Sequence, residues 1–221
     1  MCASLFSNIH EIGTILVVPV AHNSFFLTNT VACVVAAAFP ERVDRLVLLD
    51  GAGPLDRPAA SIAKHVRSHI ERRRTGNMKL VMDSRMRYDS VDVAVSLRRK
   101  TASNFPGNQY LSEEAAKEMV MRGSKIEEDG SVEFLHDPRL RWPSAHYFTE
   151  EQVEALYKDV QCSTCLLTAE NGWPIEEAKR DRILQLLKPE VMKKLPGSHH
   201  FHADPLTAPR VTEEIVNFLR Y

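Results

Sequence analysis

The chain has 221 residues, of which 44% are hydrophobic and 26% charged, and its formal net charge at pH 7 is −1. This composition is that of an ordinary globular protein, large enough for one domain with or without an inserted subdomain. The near-neutral charge argues against a protein that binds nucleic acid through a broad basic face, so we expect no nucleic-acid partner.

The first apolar run covers residues 15–21 and contains Pro19. It is too short to span a bilayer, and residues 1–14 contain no lysine or arginine, which a secretory signal would need. We therefore expect a cytoplasmic protein without a membrane span. The run itself predicts at most one strand, over residues 14–20.

Residues 31–39 form an alanine-rich apolar segment that stops at Pro40, which predicts a buried helix. Residues 45–50 contain an uninterrupted apolar run, followed by two glycines and a proline. This pattern is typical of a strand buried on both faces of a parallel sheet. Helix and strand together predict part of a βαβ unit.

Residues 58–125 have a different character, because they are charged and favour helices. Breaks occur at Gly76, at residues 105–107 and at Gly123. We predict several amphipathic helices here, one of them capped by Ser112, and a later helix capped by Thr149.

The α/β pattern resumes after residue 160. We predict strands over residues 164–169 and 191–195, and helices over residues 174–187 and 209–219. The predicted organisation is therefore an atypical N-terminal segment (1–30), a parallel α/β core (31–57 and 160–221) and a helical insertion (58–159).

The 4 cysteines are too few and too scattered for the disulfide framework of a secreted protein. Cys162 and Cys165 have the CxxC spacing of redox and zinc sites, which leaves that interpretation open. No second pair follows, and the chain continues into the apolar Leu166 and Leu167, as in a strand. We favour the absence of both a metal site and a cofactor.

Three passages, residues 31–50, 123–140 and 196–205, together resemble serine hydrolase-like proteins of the α/β-hydrolase superfamily. In this order they resemble the helix and strand after the nucleophile, the end of the cap, and the histidine loop. The resemblance implies a parallel sheet with an inserted helical cap, here partial because the N-terminal strands of the family are missing. It also implies hydrolysis of a small ester-type substrate by a Ser-His-acid triad, and it makes peroxisomal or vesicle association an alternative location.

His199 is the expected histidine of that triad. It follows Gly197 and Ser198 just after a predicted strand, at the carboxyl edge of the sheet, where open α/β sheets bind ligands. One alternative is a structural histidine on a turn. The other is a metal site shared with His200 and His202, for which no carboxylate or cysteine has suitable helical spacing nearby.

Two residues are candidates for the acid that orients the histidine. Glu170 follows the predicted strand over residues 164–169, at the usual place of the acid in the family, and Asn171 and Gly172 continue as a turn. Asp50 ends the preceding core strand, a position that supplies the acid in some relatives. We favour Glu170 and keep Asp50 as the second candidate; either residue has the alternative of an ordinary turn residue.

The nucleophile of the family lies in a G-x-S-x-G motif that should end just before Val31. In that register the serine position falls on Phe26, and the glycine positions fall on Ser24 and Thr28. None of the 9 glycines is followed two residues later by serine. Because the turn needs glycines where its backbone crowds its neighbours, we expect both the nucleophile and its turn to be missing. A second oxyanion-hole donor is not evident either.

Residues 25–30 are also compatible with codons that spell the end of an intron. We therefore expect residues 1–30 to be foreign to the fold, through a retained intron or a misassigned start. Two functions stay open: a serine hydrolase for small esters or thioesters, and a catalytically inactive remnant that acts as a binding or interaction module.

Overall fold

The computed structural model describes residues 15–18, 27–75, 86–137 and 144–220. The strands are, in chain order, β1 (Ile15–Val18), β2 (Arg45–Leu49), β3 (Arg87–Tyr88), β4 (Ser124–Ile126), β5 (Val132–Phe134), β6 (Ser163–Asn171) and β7 (Val191–Ser198). The α-helices are α1 (Leu27–Ala38), α2 (Ile62–Thr75), α3 (Val91–Ser103), α4 (Glu113–Gly123), α5 (Glu150–Asp159), α6 (Glu177–Leu187) and α7 (Ala208–Arg220).

Four strands form a parallel sheet in the order β1-β2-β6-β7. Leu46 of β2 pairs with Leu16 of β1 on one side and with Thr164 of β6 on the other. β7 pairs with β6, with a register shift between Ala169 and Asn171. The carboxyl ends of all four strands therefore lie at one edge of the sheet.

β2 is buried on both faces because alternate side chains of a strand point to opposite sides. Leu46 and Leu48 pack in a cluster with residues of α1, α5 and α6, whereas Val47 and Leu49 pack with residues of α7. Each of these four side chains is at most 1% exposed. Helices thus cover both faces of the sheet, and the predicted parallel α/β architecture is confirmed.

α1 packs closely on the sheet because its inward-facing residues are small. Ala32, Cys33 and Ala36 are buried, and the thiol of Cys33 donates a hydrogen bond to the main-chain oxygen of Ala52 over 3.4 Å. The helix ends before Pro40, as predicted. It begins at Leu27 rather than at residue 31, so its first turn and β1 both come from the segment 1–30.

The insertion holds α2, α3 and α4, and also a three-stranded antiparallel sheet in the order β3-β5-β4. The sequence of this region predicted only helices. Each of these strands has 2 or 3 residues, too few for an alternating pattern to be recognised. Val132 and Phe134 of β5 pack in a buried cluster with residues of α3 and α4, and this cluster forms the core of the insertion.

α5 begins at the predicted cap. The Thr149 hydroxyl accepts a hydrogen bond from the main-chain N–H of Gln152, and the Gln152 side chain accepts one from the main-chain N–H of Thr149. The helix falls inside the predicted insertion 58–159, yet its Val153 and Tyr157 are buried together with residues of α1 and β2. By its packing, α5 belongs to the layer of helices on the parallel sheet.

The longest described helix is α2, with 14 residues. It carries Arg72, Arg73 and Arg74 in its last turn. Among the described residues, no helix combines the length and apolar character needed to cross a membrane.

Candidate active site

Asp50 and His199 meet at the carboxyl edge of the parallel sheet. Asp50 directly follows β2 and His199 directly follows β7, so each side chain emerges from the end of a strand. Nδ1 of His199 lies 2.5 Å from Oδ2 of Asp50, and the two side chains are 1% and 3% exposed. β6 lies between the two strands, so the carboxylate reaches across the end of β6 to the imidazole.

The carboxylate of Asp50 is held by main-chain donors from the end of β6 and the loop after it. The N–H of Ala169 donates to Oδ1 over 2.9 Å, and the N–H of Trp173 donates to Oδ2 over 3.0 Å. The main chain of Asp50 has a φ of 48°, in the left-handed region that aspartate tolerates better than most residues. Its own N–H donates to the oxygen of Leu167 over 2.7 Å. These hydrogen bonds hold the carboxylate of Asp50 in one position.

Gly172 makes this arrangement possible. A Cβ at Gly172 would overlap Oδ1 of Asp50 and would lie 2.6 Å from its Cγ and Oδ2. A side chain at this position would push the carboxylate away from the imidazole. The requirement for glycine here comes from close packing, since the backbone of Gly172 does not have a positive φ.

The loop after β7 sets the orientation of His199. Gly197 has a φ of 118°, and a Cβ there would lie 2.8 Å from the Cβ of Phe201. The N–H of Phe201 donates to the oxygen of Ser198 over 2.8 Å, which closes a tight turn around the histidine. Because an ionised carboxylate can only accept hydrogen bonds, Nδ1 of His199 is the donor in this contact when Asp50 is ionised. A neutral imidazole protonated at Nδ1 is the tautomer that a general base needs.

Glu170, the acid favoured by the sequence analysis, does not meet the histidine. β6 continues to Asn171, so Glu170 still lies within the strand instead of in the turn beyond it. Ala169 is buried and the next side chain, that of Glu170, is exposed because successive strand residues face opposite ways. The structure brings the second candidate, Asp50, to His199. The signal for this was available in the sequence, as an aspartate that directly ends a buried strand.

The two other histidines of the loop lie next to His199. The ring centroids of His199 and His200 are 5.1 Å apart, and those of His200 and His202 are 6.1 Å apart. In the part of the chain that the structure describes, no group of three or more His, Cys, Asp or Glu residues is arranged to hold a metal ion.

The positions named for the nucleophile fall at the start of α1. Ser24 and Phe26 lie outside the described residues, and Thr28 lies in α1 just after its first residue. The buried Asn29 anchors this end of the helix, because its Nδ2 donates to the oxygen of Leu49 over 3.3 Å. The start of α1 is thereby held beside the residue that precedes Asp50. The sequence contains no G-x-S-x-G motif at this or any other position.

The cysteines of the CxxC pair face opposite sides of the sheet. Cys165 is buried among residues that pack on α7, and Cys162 packs against the cluster on the other face. Both are free thiols, as is Cys33. Burial raises the pKa of Cys165 to about 11 and that of Cys33 to about 12. Such thiols are poor nucleophiles near neutral pH.

A cavity of about 200 Å³ lies beside Asp50, between the loop after β2 and the helices α5 and α6. At its rim Lys179 pairs with Asp56, and Arg182 makes two hydrogen bonds to Glu154. The remaining wall is mainly apolar and is formed by Ala52, Pro54, Val153, Tyr157, Ile175 and Ile183. The cavity therefore suits a small apolar group.

No protein-family model matches the chain. It is 25% identical over 212 residues to a serine hydrolase-like protein of Dictyostelium discoideum, with 86% of this chain and 52% of that protein covered. It is 26% identical over 198 residues to a serine hydrolase-like protein of Danio rerio, with 87% and 58% covered. The chain thus spans about half the length of the curated relatives it matches.

Three solved structures align with most of this chain. A protein of Pseudomonas aeruginosa described as hypothetical aligns with a TM-score of 0.72 and 26% identity, over 89% of this chain and 66% of that one. E-2-(acetamidomethylene)succinate hydrolase aligns with a TM-score of 0.61 and 15% identity, over 100% and 71%. An α/β hydrolase from Novosphingobium aromaticivorans aligns with a TM-score of 0.59 and 11% identity, over 99% and 69%. The last two show likeness of fold alone.

Proposed function

We propose that Asp50 and His199 are the acid–base half of an ester-hydrolysing site. The premise is that this chain belongs to the α/β-hydrolase superfamily and is similar to its serine hydrolase-like proteins. The observation that carries this proposal is the buried contact of 2.5 Å between Nδ1 of His199 and Oδ2 of Asp50. In such a pair the imidazole takes the proton of the attacking hydroxyl through Nε2. The carboxylate holds the tautomer and stabilises the imidazolium that forms.

The substrate class that we propose is a small ester or thioester. Two solved structures of similar fold support this choice, because one is a thioesterase and the other an esterase. The thioesterase domain of a curacin biosynthetic pathway aligns with a TM-score of 0.59 and 17% identity. A Mycobacterium tuberculosis esterase aligns with a TM-score of 0.55 and 13% identity. The apolar cavity of about 200 Å³ beside Asp50 supports a small substrate group. The insertion between β2 and β6 is the element that would shape the rest of the site.

We further propose that this chain does not form an acyl-enzyme. The family nucleophile requires a serine on a glycine-flanked turn, and Ser24, Phe26 and Thr28 occupy the three positions that matter. An acid–base pair without its nucleophile has no hydroxyl to activate for attack on the acyl carbon. The acid–base half is therefore retained while the covalent step is lost.

The experiment that tests this proposal is labelling with a fluorophosphonate probe. The unmodified chain should stay unlabelled. A variant with Ser24→Gly, Phe26→Ser and Thr28→Gly restores the motif in register before Val31 and should become labelled, and His199→Ala should then abolish the labelling. Labelling of the unmodified chain that disappears on Ser24→Ala or Thr28→Ala would overturn the loss of the nucleophile.

A second function is favoured by the missing motif, namely an inactive remnant that acts as a binding or interaction module. β1 is an edge strand of the described sheet, and an edge strand can pair with another chain. This function predicts that even the restored motif stays unlabelled and that the chain self-associates in analytical ultracentrifugation. If the variant with the restored motif is labelled and the chain is monomeric, the function as an inactive remnant is excluded.

A further inference from the structure

We propose that residues 105–110 of the insertion, here called the clamp segment, position the Asp50–His199 pair by contacting the loop after β6, which donates a hydrogen bond to Asp50, and the end of β7, which carries His199. The segment connects α3 and α4. It touches the loop after β6 at one end and the last residue of β7 at the other. A role of the clamp segment in catalysis rests on the proposed function, but its effect on the geometry of the Asp50–His199 pair does not.

The first contact is on the histidine side. The main-chain N–H of Tyr110 donates a hydrogen bond to the hydroxyl of Ser198 over 3.0 Å. Ser198 is 4% exposed and directly precedes His199. A bond from the insertion thus holds the end of β7, from which the imidazole projects. Because the donor is a main-chain group, the bond fixes the backbone of the clamp segment and not only a side chain.

The second contact is on the acid side. Gly107 lies so close to the loop after β6 that a Cβ there would stand 2.8 Å from the oxygen of Gly172 and 2.9 Å from Cδ of Pro174. Its φ of 91° also favours glycine. Between these two loop residues lies Trp173, whose N–H donates to Oδ2 of Asp50. The clamp segment therefore packs against the stretch of main chain that donates a hydrogen bond to Asp50.

Aromatic contacts join the two sides. The rings of Phe105 and Trp173 have centroids 6.0 Å apart, and those of Trp173 and His199 are 6.3 Å apart with the rings tilted by 62°. A row of three rings thus runs from the clamp segment to the imidazole. Displacement of Phe105 would remove one of the ring contacts of Trp173.

The clamp segment is itself stiff. The amide of Gln109 is buried and its Nε2 donates to the oxygen of Pro106 over 2.8 Å. Beyond the segment, Nε of Arg99 donates to the oxygen of Leu111 over 3.3 Å, which ties its end to α3. A stiff segment transmits the position of the insertion to the pair. Movement of the insertion would therefore change the geometry of Asp50 and His199 together.

Ser198 is a positioning residue, because the clamp segment acts on His199 through the hydroxyl of Ser198. We would follow amide hydrogen exchange and the imidazole ¹⁵N signals of His199 by NMR in the full chain. Ser198→Ala should speed exchange at Tyr110 and at Trp173 by about fivefold, the effect of one ordinary hydrogen bond, and should shift the imidazole signals. Ser198→Thr, which keeps the acceptor oxygen, should restore both.

The matched control is Ser90→Ala, which removes a hydroxyl that accepts the main-chain N–H of Val93 at the start of α3. It should leave Tyr110, Trp173 and the imidazole signals unchanged. If Ser198→Ala speeds exchange only at Tyr110 and leaves Trp173 and His199 unaltered, the clamp is refuted.

The unmodified chain gives a second test that does not depend on any variant folding. Under the proposal, the amides of Tyr110 and Trp173 exchange through one shared opening and have the same protection factor. A Tyr110 amide that exchanges more than about tenfold faster than that of Trp173, a gap larger than one hydrogen bond, would overturn it. Neither readout uses hydrolysis, so failure of the clamp and failure of the proposed chemistry are distinguishable.

Discussion

Gly172 lies directly against the carboxylate of Asp50, where a Cβ would overlap Oδ1. Gly172→Ala should therefore displace the carboxylate and lower the free energy of unfolding by about 1–3 kcal/mol, as overpacking does elsewhere. Urea unfolding measures this, with Gly130→Ala as the control. Gly130 has a φ of 82° but no atom within 4 Å of an added Cβ, so its alanine variant carries backbone strain alone. Gly172→Ala with unchanged stability would contradict the packing described here.

The two candidates for the acid, Asp50 and Glu170, differ in burial and in the hydrogen bonds that their carboxylates accept. In Asp50→Asn an amide group replaces an acceptor that serves the N–H groups of Ala169 and Trp173, so one buried donor loses its partner. We expect a loss of about 1–3 kcal/mol in the free energy of unfolding. Glu170→Gln, at an exposed position, should change it by less than about 0.5 kcal/mol. Equal effects of the two substitutions in chemical denaturation would show that Asp50 is not held in this way.

Much of this arrangement follows from local sequence patterns. β2 and β6 were predictable because each contains an apolar run bounded by turn residues, and His199 because it directly follows the last strand of the sheet. The acid was not, because the choice between Glu170 and Asp50 depends on where β6 ends, and strand ends are set by pairing with β7. The contact of Gly107 with Gly172 joins segments far apart in the chain, and no local pattern marks it.

The buried thiols should be protected in the folded chain. Burial raises the pKa of Cys33 to about 12 and that of Cys165 to about 11. Iodoacetamide at pH 8 should therefore leave both unmodified until the protein unfolds, while the half-buried Cys162 reacts sooner. Mass spectrometry of digested protein separates the three sites. Modification of Cys33 at the rate of an unfolded chain would contradict its burial.

The same shifts predict a pH dependence of stability. A thiol whose folded pKa is raised contributes stability below its unfolded pKa of about 8.5, and this contribution is lost as pH rises towards the folded value. The free energy of unfolding should thus fall above about pH 9. Cys33→Ala should flatten that fall, and an unchanged slope would argue against the raised pKa of Cys33.

Asp56 and Lys179 join the loop after β2 to α6. Burial raises the pKa of Asp56, but the hydrogen bond from Lys179 and its charge outweigh burial and hold the pKa below its ordinary value. The stability from this pair is therefore present above the unfolded pKa of about 3.9 and is lost as pH falls through the folded pKa. Asp56→Asn should cost about 0.5 kcal/mol at pH 7 and progressively less in acid. A cost that does not change with pH, measured by urea unfolding, would contradict the pairing.

The assignment of Asp50 and His199 as the acid–base half is tested most directly in the variant that restores the motif through Ser24→Gly, Phe26→Ser and Thr28→Gly. Its rate of fluorophosphonate labelling is measured alone, with Asp50→Asn, and with Glu170→Gln. We predict that Asp50→Asn slows labelling on the order of 10⁴-fold, as loss of the acid does in a triad, and that Glu170→Gln leaves the rate within about twofold, as expected of an exposed surface residue. Labelling that survives Asp50→Asn but is lost with Glu170→Gln would contradict the assignment.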